Sequence, residues 1–203
     1  MSHISSTPDH FDELISEGAA ALQVGNHQQA IDVWAQAALI IPASGVPHFL
    51  IGSALASQEE YEKAETAFSN AVLLSPNFSI ARYQLGLLQF TSGRAALALV
   101  MWQPLLEIAS PTAEEQALSL FVRGYAALAQ DDFGPALAQF REGVRINSGN
   151  AVVSSDVNKV IDRVEKLLAS TGITPTTPVP DEIVDLNDAH VLLNNYQNIG
   201  RSH

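Results

Sequence analysis

The chain has 203 residues, of which 22 are acidic and 10 basic, for a formal charge of −12; it contains no cysteine, and 47% of its residues are apolar. That balance argues against nucleic acid, whose phosphates need clustered Lys and Arg to displace counterions, and against docking on anionic lipid. The lack of cysteine excludes a disulfide framework, a thiolate nucleophile and a Cys-based zinc site.

The first ten residues, MSHISSTPDH, lack the basic start and apolar stretch of a signal peptide. The most apolar run, Ala95 to Trp102, is far shorter than the roughly 20 residues that span a bilayer. Both features set the expectation of a cytoplasmic protein with no membrane insertion. Glycine then recurs at even spacing, at Gly18, Gly52 and Gly86, and again at Gly124. A fixed period near 34 predicts helical hairpins repeated along the chain, an all-α solenoid.

The first unit, 11–44, carries Gly18, Gly25, Ala30, Trp34, Ala37 and Pro42; the second, 45–78, carries Gly52, Leu55, Ala64, Phe68, Ala71 and Pro76. The third, 79–116, has Gly86, Gly93, Ala98 and Trp102, and the fourth, 117–150, has Gly124, Ala136, Phe140 and Gly143. Ala30 and Trp34, Ala64 and Phe68, Ala98 and Trp102, and Ala136 and Phe140 are i,i+4 pairs, so a small and a bulky residue share one helix face. The recurrent glycine is expected where the two helices of a hairpin touch backbone to backbone. Pro42 and Pro76 should stop the second helix of their units.

Two departures stand out. Pro104 falls inside the second helix of the third unit, where it should kink or break it. The glycine spacing then stretches by four between Gly86 and Gly124, and in the added segment Thr112 and Glu115 form a capping-box pattern that should start the next helix. Residues 151–170 place Val153, Val157, Val160, Ile161, Val164, Leu167 and Leu168 on one stripe, as a capping helix would.

These residues resemble the tetratricopeptide repeat family, whose pattern is a small residue in the first helix, Ala-x-x-x-aromatic in the second, then proline. The resemblance covers about residues 11–150 and implies a right-handed superhelix that holds a protein partner, peptide or helix, in a concave groove. In that family the groove is lined by the fifth, ninth and twelfth positions of each first helix. Carried over, these are Ile15, Phe49, Tyr83 and Phe121; Ala19, Ser53, Leu87 and Tyr125; Leu22, Ala56, Phe90 and Leu128. The result is largely apolar, and burial of one such aromatic against a partner is worth about 1.5–3 kcal/mol. The branch that clamps a chaperone's terminal carboxylate has Lys, Asn and Arg where this chain has Ile15, Ala19, Leu50, Ile80 and Gln84, so that ligand is not expected.

The last segment, 171–203, begins with a spacer containing Pro175, Pro178 and Pro180 and then turns apolar, with Leu186, Leu192, Leu193 and Tyr196 as candidate docking residues. It is expected to act as a built-in ligand for the groove of its own or a neighbouring molecule, or as a second contact site. The six histidines show no paired metal-ligand spacing, and no phosphate loop, nucleophile elbow or acid–base pair is visible. The expectation is therefore no enzyme, no metal and no cofactor, but a scaffold or adaptor that binds a protein partner. A cytoplasmic chaperone for a secreted or membrane-inserting bacterial client is the alternative. A homodimer, through the tail or an open end of the stack, is left open.

Overall fold

The structure, a computed structural model, describes residues 7–171; the tail residues Leu186, Leu192, Leu193 and Tyr196 lie outside them. The described residues form nine α-helices and no strand: α1 (Thr7–Gln23), α2 (His27–Ile40), α3 (Val46–Ser57), α4 (Tyr61–Leu74), α5 (Ser79–Thr91), α6 (Ala95–Leu106), α7 (Ala113–Leu128), α8 (Phe133–Ile146) and α9 (Ala151–Thr171). The chain divides between Leu88 and Gln89, inside α5, into two compact units.

In the first unit, α1 packs on α2 and α3 on α4. The side chain of Asn26 accepts a hydrogen bond from the Gln29 amide, satisfying one of the free N–H groups at the start of α2. Pro47 occupies the first turn of α3, where its missing N–H costs nothing. Trp34 is fully buried among Ala21, Ala30 and Ala54, and its Nε1 donates to the Ile15 carbonyl at 3.2 Å. Leu14, Val33 and Ala37 continue this core, with Phe11 and Ile40 at its edge.

The recurrent glycine does more than let backbones meet. A Cβ on Gly18 would stand 2.6 Å from Cδ1 of Trp34, and one on Gly52 would stand 2.8 Å from the Phe68 ring. In the second unit a Cβ on Gly124 would lie 2.5 Å from Phe140. The expected backbone-to-backbone contact is thus replaced by a ring lying in the space that the glycine leaves open. The alanine of each i,i+4 pair, at 30, 64, 98 and 136, is completely buried. The turn inside each hairpin takes a left-handed residue at the same register position: Gly25, Glu59, Gly93 and Asp131. Glycine accepts that conformation freely, whereas the two acidic residues hold it at some cost.

In the second unit α7 packs on α8, and α6 and α9 pack on this pair. Four rings make its spine: Phe90 to Trp102 at 5.9 Å, Trp102 to Tyr125 at 5.4 Å and Tyr125 to Phe140 at 4.9 Å. The Thr112 and Glu115 capping box forms, with the Thr112 amide donating to Glu115 Oε2 at 2.9 Å and the Glu115 amide to Thr112 Oγ1 at 3.2 Å. The helix it starts, α7, begins at Ala113, four residues ahead of the expected start of the fourth unit.

Pro104 does not break α6. The helix runs two residues past it to Leu106, and the Glu107 amide closes it on the Pro104 carbonyl at 3.3 Å. α6 has 12 residues where α2, α4 and α8 each have 14. The proline has no amide to give the Val100 carbonyl, which weakens the last turn of the helix without stopping it. As the amphipathic stripe requires, α9 buries Val153, Val157, Ile161, Val164 and Leu168, and it closes the apolar face of the last hairpin.

Candidate functional site

The groove positions separate by unit. In the first, Ile15, Phe49 and Leu87 are half-buried, and Ala19 is exposed. The Phe49 ring lies 5.8 Å from Phe68 and 5.1 Å from Phe78, so its inner edge is held while part of it stays accessible. Ser53 turns its hydroxyl back to the Phe49 carbonyl at 2.9 Å. Tyr83 departs from the expectation: at 1% exposure it is core, with no surface to offer.

In the second unit every groove position is taken by packing. Phe90, Phe121, Tyr125 and Leu128 are all buried. Phe121 fills the space beside Gly143, where a Cβ would stand 2.5 Å from its ring. Phe90 and Tyr125 lie 5.1 Å apart within the aromatic spine. The physical reason is size: these rings reach across to the neighbouring helix and bury there, a contact worth more to the free chain than exposure to solvent. As a continuous apolar lining, the expected groove does not extend into this unit.

What the second unit offers instead is a cleft of about 470 Å³ at the place where the period stretches. Leu105, Leu106 and Ile108, from the end of α6 and the residues after it, line it together with Gln116, Ser119 and Leu120 of α7 and Glu142 and Ile146 of α8, so its lining is mixed polar and apolar. Arg123 and Arg145 are also among its lining residues. Arg145 is held by Glu142 through two hydrogen bonds of 2.6 Å, which pull the Glu142 carboxyl below its usual range and push the guanidinium up. Arg123 is exposed and makes no ion pair among the described residues.

Sequence reasoning missed this cleft. Its signal was present as the four added residues and Pro104, but no periodicity says which side chains will face a gap. It also missed Leu39 and Leu73, which sit one repeat period apart on α2 and α4 and are 79% and 76% exposed. Aligning the two hairpins position by position would have found that pair. Among the histidines, His27 Nδ1 lies 3.5 Å from Ser57 Oγ and His10 Nδ1 lies 3.4 Å from Glu13. No cluster of three His, Asp or Glu side chains able to hold a metal occurs among the described residues. No helix among them is long and apolar enough to cross a membrane.

A tetratricopeptide-repeat family profile matches residues 49–114. Among solved structures, MamA (residues 41 to its end) from Desulfovibrio magneticus RS-1 is similar over 98% of this chain and 99% of that one, at 17% identity and a TM-score of 0.57. PilF of Pseudomonas aeruginosa is similar over 94% of this chain and 90% of that one, at 18% identity and a TM-score of 0.57. YrrB, described as a tetratricopeptide-repeat protein with an unusual peptide-binding site, is similar over 91% and 90%, at 16% identity and a TM-score of 0.50. No functionally curated protein matches the sequence. The nine helices of the described residues share their fold with these solved structures, and the profile match covers about a third of the chain.

Proposed function

We propose that the protein is a non-catalytic scaffold or adaptor of the cytoplasm that binds a segment of a protein partner on the first-helix face of its first unit. The observation that carries this reading is that Ile15, Phe49 and Leu87 remain only half-buried there, while the corresponding residues of the second unit are committed to its core. A row of apolar side chains, kept partly open beside the exposed Ala19 and backed by buried rings, suits an apolar or amphipathic peptide. The similarity to a solved peptide-binding protein of the same repeat type supports a protein ligand. No catalytic group enters this reading.

The test uses the full-length chain, immobilised and exposed to lysate of its native host. Ala19→Glu adds a charge at an exposed position and should leave the helical circular dichroism unchanged. It should lower recovery of a specific protein at least tenfold, and Phe49→Ser should do the same. Equal recovery by the wild type and both variants would overturn the reading. A recovered protein that is insoluble without this chain would favour the chaperone over the adaptor; one that is folded and soluble alone would favour the adaptor.

A further inference from the structure

We infer that α6 carries a self-docking face, on which a second copy of the chain lays its own α6 antiparallel to form a two-fold dimer. The first observation is a difference between equivalent helices. Counted from the buried alanine of each pair, Gln29, Lys63 and Leu97 hold one register position, and Asp32, Thr66 and Val100 the next on the same face. On α2 and α4 these side chains are polar and exposed, as a solvated face requires. On α6 they are apolar and still exposed, Leu97 at 45% and Val100 at 72%. Pro104, one turn further along that face, is exposed as well. The fold accepts polar residues at these places in the two equivalent helices, so folding alone does not call for Leu and Val here; a contact surface does.

The second observation is charge. Residues 95–106 contain no Asp, Glu, Lys or Arg, in a chain whose formal charge is −12. Two acidic copies repel each other, and a strip free of charge is where they can approach most closely.

The third is the placing of the flanking charges. Arg94 stands at the start of α6 and Glu107 at its end, both exposed, and about 20 Å separates them along the axis. Gln103 donates to Glu107 Oε1 at 2.7 Å and steadies that carboxylate at the last turn. Arg94 and Glu107 are equally far from the middle of the helix, which falls between Val100 and Met101. An antiparallel second α6 centred there brings Arg94 of each copy to Glu107 of the other and sets Val100 near its own counterpart. An apolar centre closed at both ends by opposite charges is self-complementary, as an isologous interface must be. A parallel pairing would set like charges together at each end. The assignment is independent of the partner reading above, which concerns the first unit.

Because the chain has no native cysteine, an introduced thiol reports proximity without background. In the full-length protein, Val100→Cys lies at the proposed two-fold axis, and Ser69→Cys, exposed on α4, serves as the control. Mild oxidation should join two copies through position 100 at least tenfold faster than through position 69. One helix from each copy buries less than the usual interface of about 1,600 Å², so sedimentation of the cysteine-free chain is followed up to roughly 100 μM. There Val100→Glu should weaken dimerisation at least tenfold. Arg94→Glu should weaken it about threefold, and adding Glu107→Arg should restore it. Both charge changes suit the helix dipole, so a loss of dimer is not a loss of folding. Equal oxidation rates at the two positions, or a monomer at every concentration, would overturn the assignment. So would dimerisation that survives Val100→Glu, which would move the interface to another face. A loss that Glu107→Arg fails to repair would overturn the antiparallel register.

Discussion

In the first unit, α2 and α4 begin one repeat period apart and run 14 residues each; in the second, α6 stops after 12, and α8 begins later than the same period would place it. Within a hairpin the two units agree closely. Gly18 faces Trp34, Gly52 faces Phe68 and Gly124 faces Phe140, each pair at the same separation along the chain. What differs is the spacing between hairpins and the fate of the inward-facing apolar residues. Where the period is kept, Ile15 and Phe49 stay half-open, although Tyr83 at the third such position is core. Where it slips, the rings close on one another and a cleft opens between the end of α6, α7 and α8. Pairing inside a hairpin is therefore the rigid part of this design, and the gap between hairpins is the adjustable part.

The likeness of the two units is tested most directly at the rings. Phe68→Ala and Phe140→Ala should each cost about 3–5 kcal/mol, measured by urea unfolding. Phe140→Ala should cost the more of the two, because its edge-on contact with Tyr125 at 4.9 Å is closer than the contact of Phe68 with Phe49 at 5.8 Å. A smaller loss at Phe140 than at Phe68 would show that the hairpin rule does not carry over to the second unit.

Pro104→Ala probes the difference in helix length. With an amide restored to the ladder, α6 should extend toward the length of α2 and α4 and gain about 1–3 kcal/mol. Hydrogen exchange should slow at residues 104–108, and the cleft should narrow. Thr112→Ala removes the capping box that starts α7 and should cost about 1 kcal/mol, with faster exchange confined to the first turn of α7.

The smallest effect is expected at the acidic turn residue of the second unit. Burial raises the Asp131 carboxyl above its ordinary value. The folded state therefore holds that proton more tightly than the unfolded chain. This contribution is full at pH below the unfolded value and is lost as pH rises through the folded one. Asp131→Asn should gain about 0.5 kcal/mol near neutrality, and the gain should shrink on acidification.

Much of this architecture could be read from the chain. The glycine period, the alanine–aromatic pairs, the Thr112 cap and the valine stripe of α9 all concern neighbours within a helix or a hairpin, where spacing alone fixes who meets whom. The site was less legible. Tyr83, Phe90, Phe121 and Tyr125 are apolar at the right positions, yet sequence pattern cannot tell a ring that waits for a partner from one that a neighbouring helix already covers. Ile15 and Phe49 carry the same pattern and have the opposite fate. Arg123 escaped notice because an isolated cation on a helix reads as a solvated side chain until the gap beside it is seen.

The ring-in-hole fitting also bears on how such a chain can change over generations. Both halves of each fitting lie within one repeat, the glycine on its first helix and the ring on its second. Duplicating or deleting such a stretch carries lock and key together, so the number of hairpins can vary without redesigning any of them. Four residues inserted between two hairpins leave every fitting untouched and alter only the gap, which makes that gap the least disruptive place for novelty to arise.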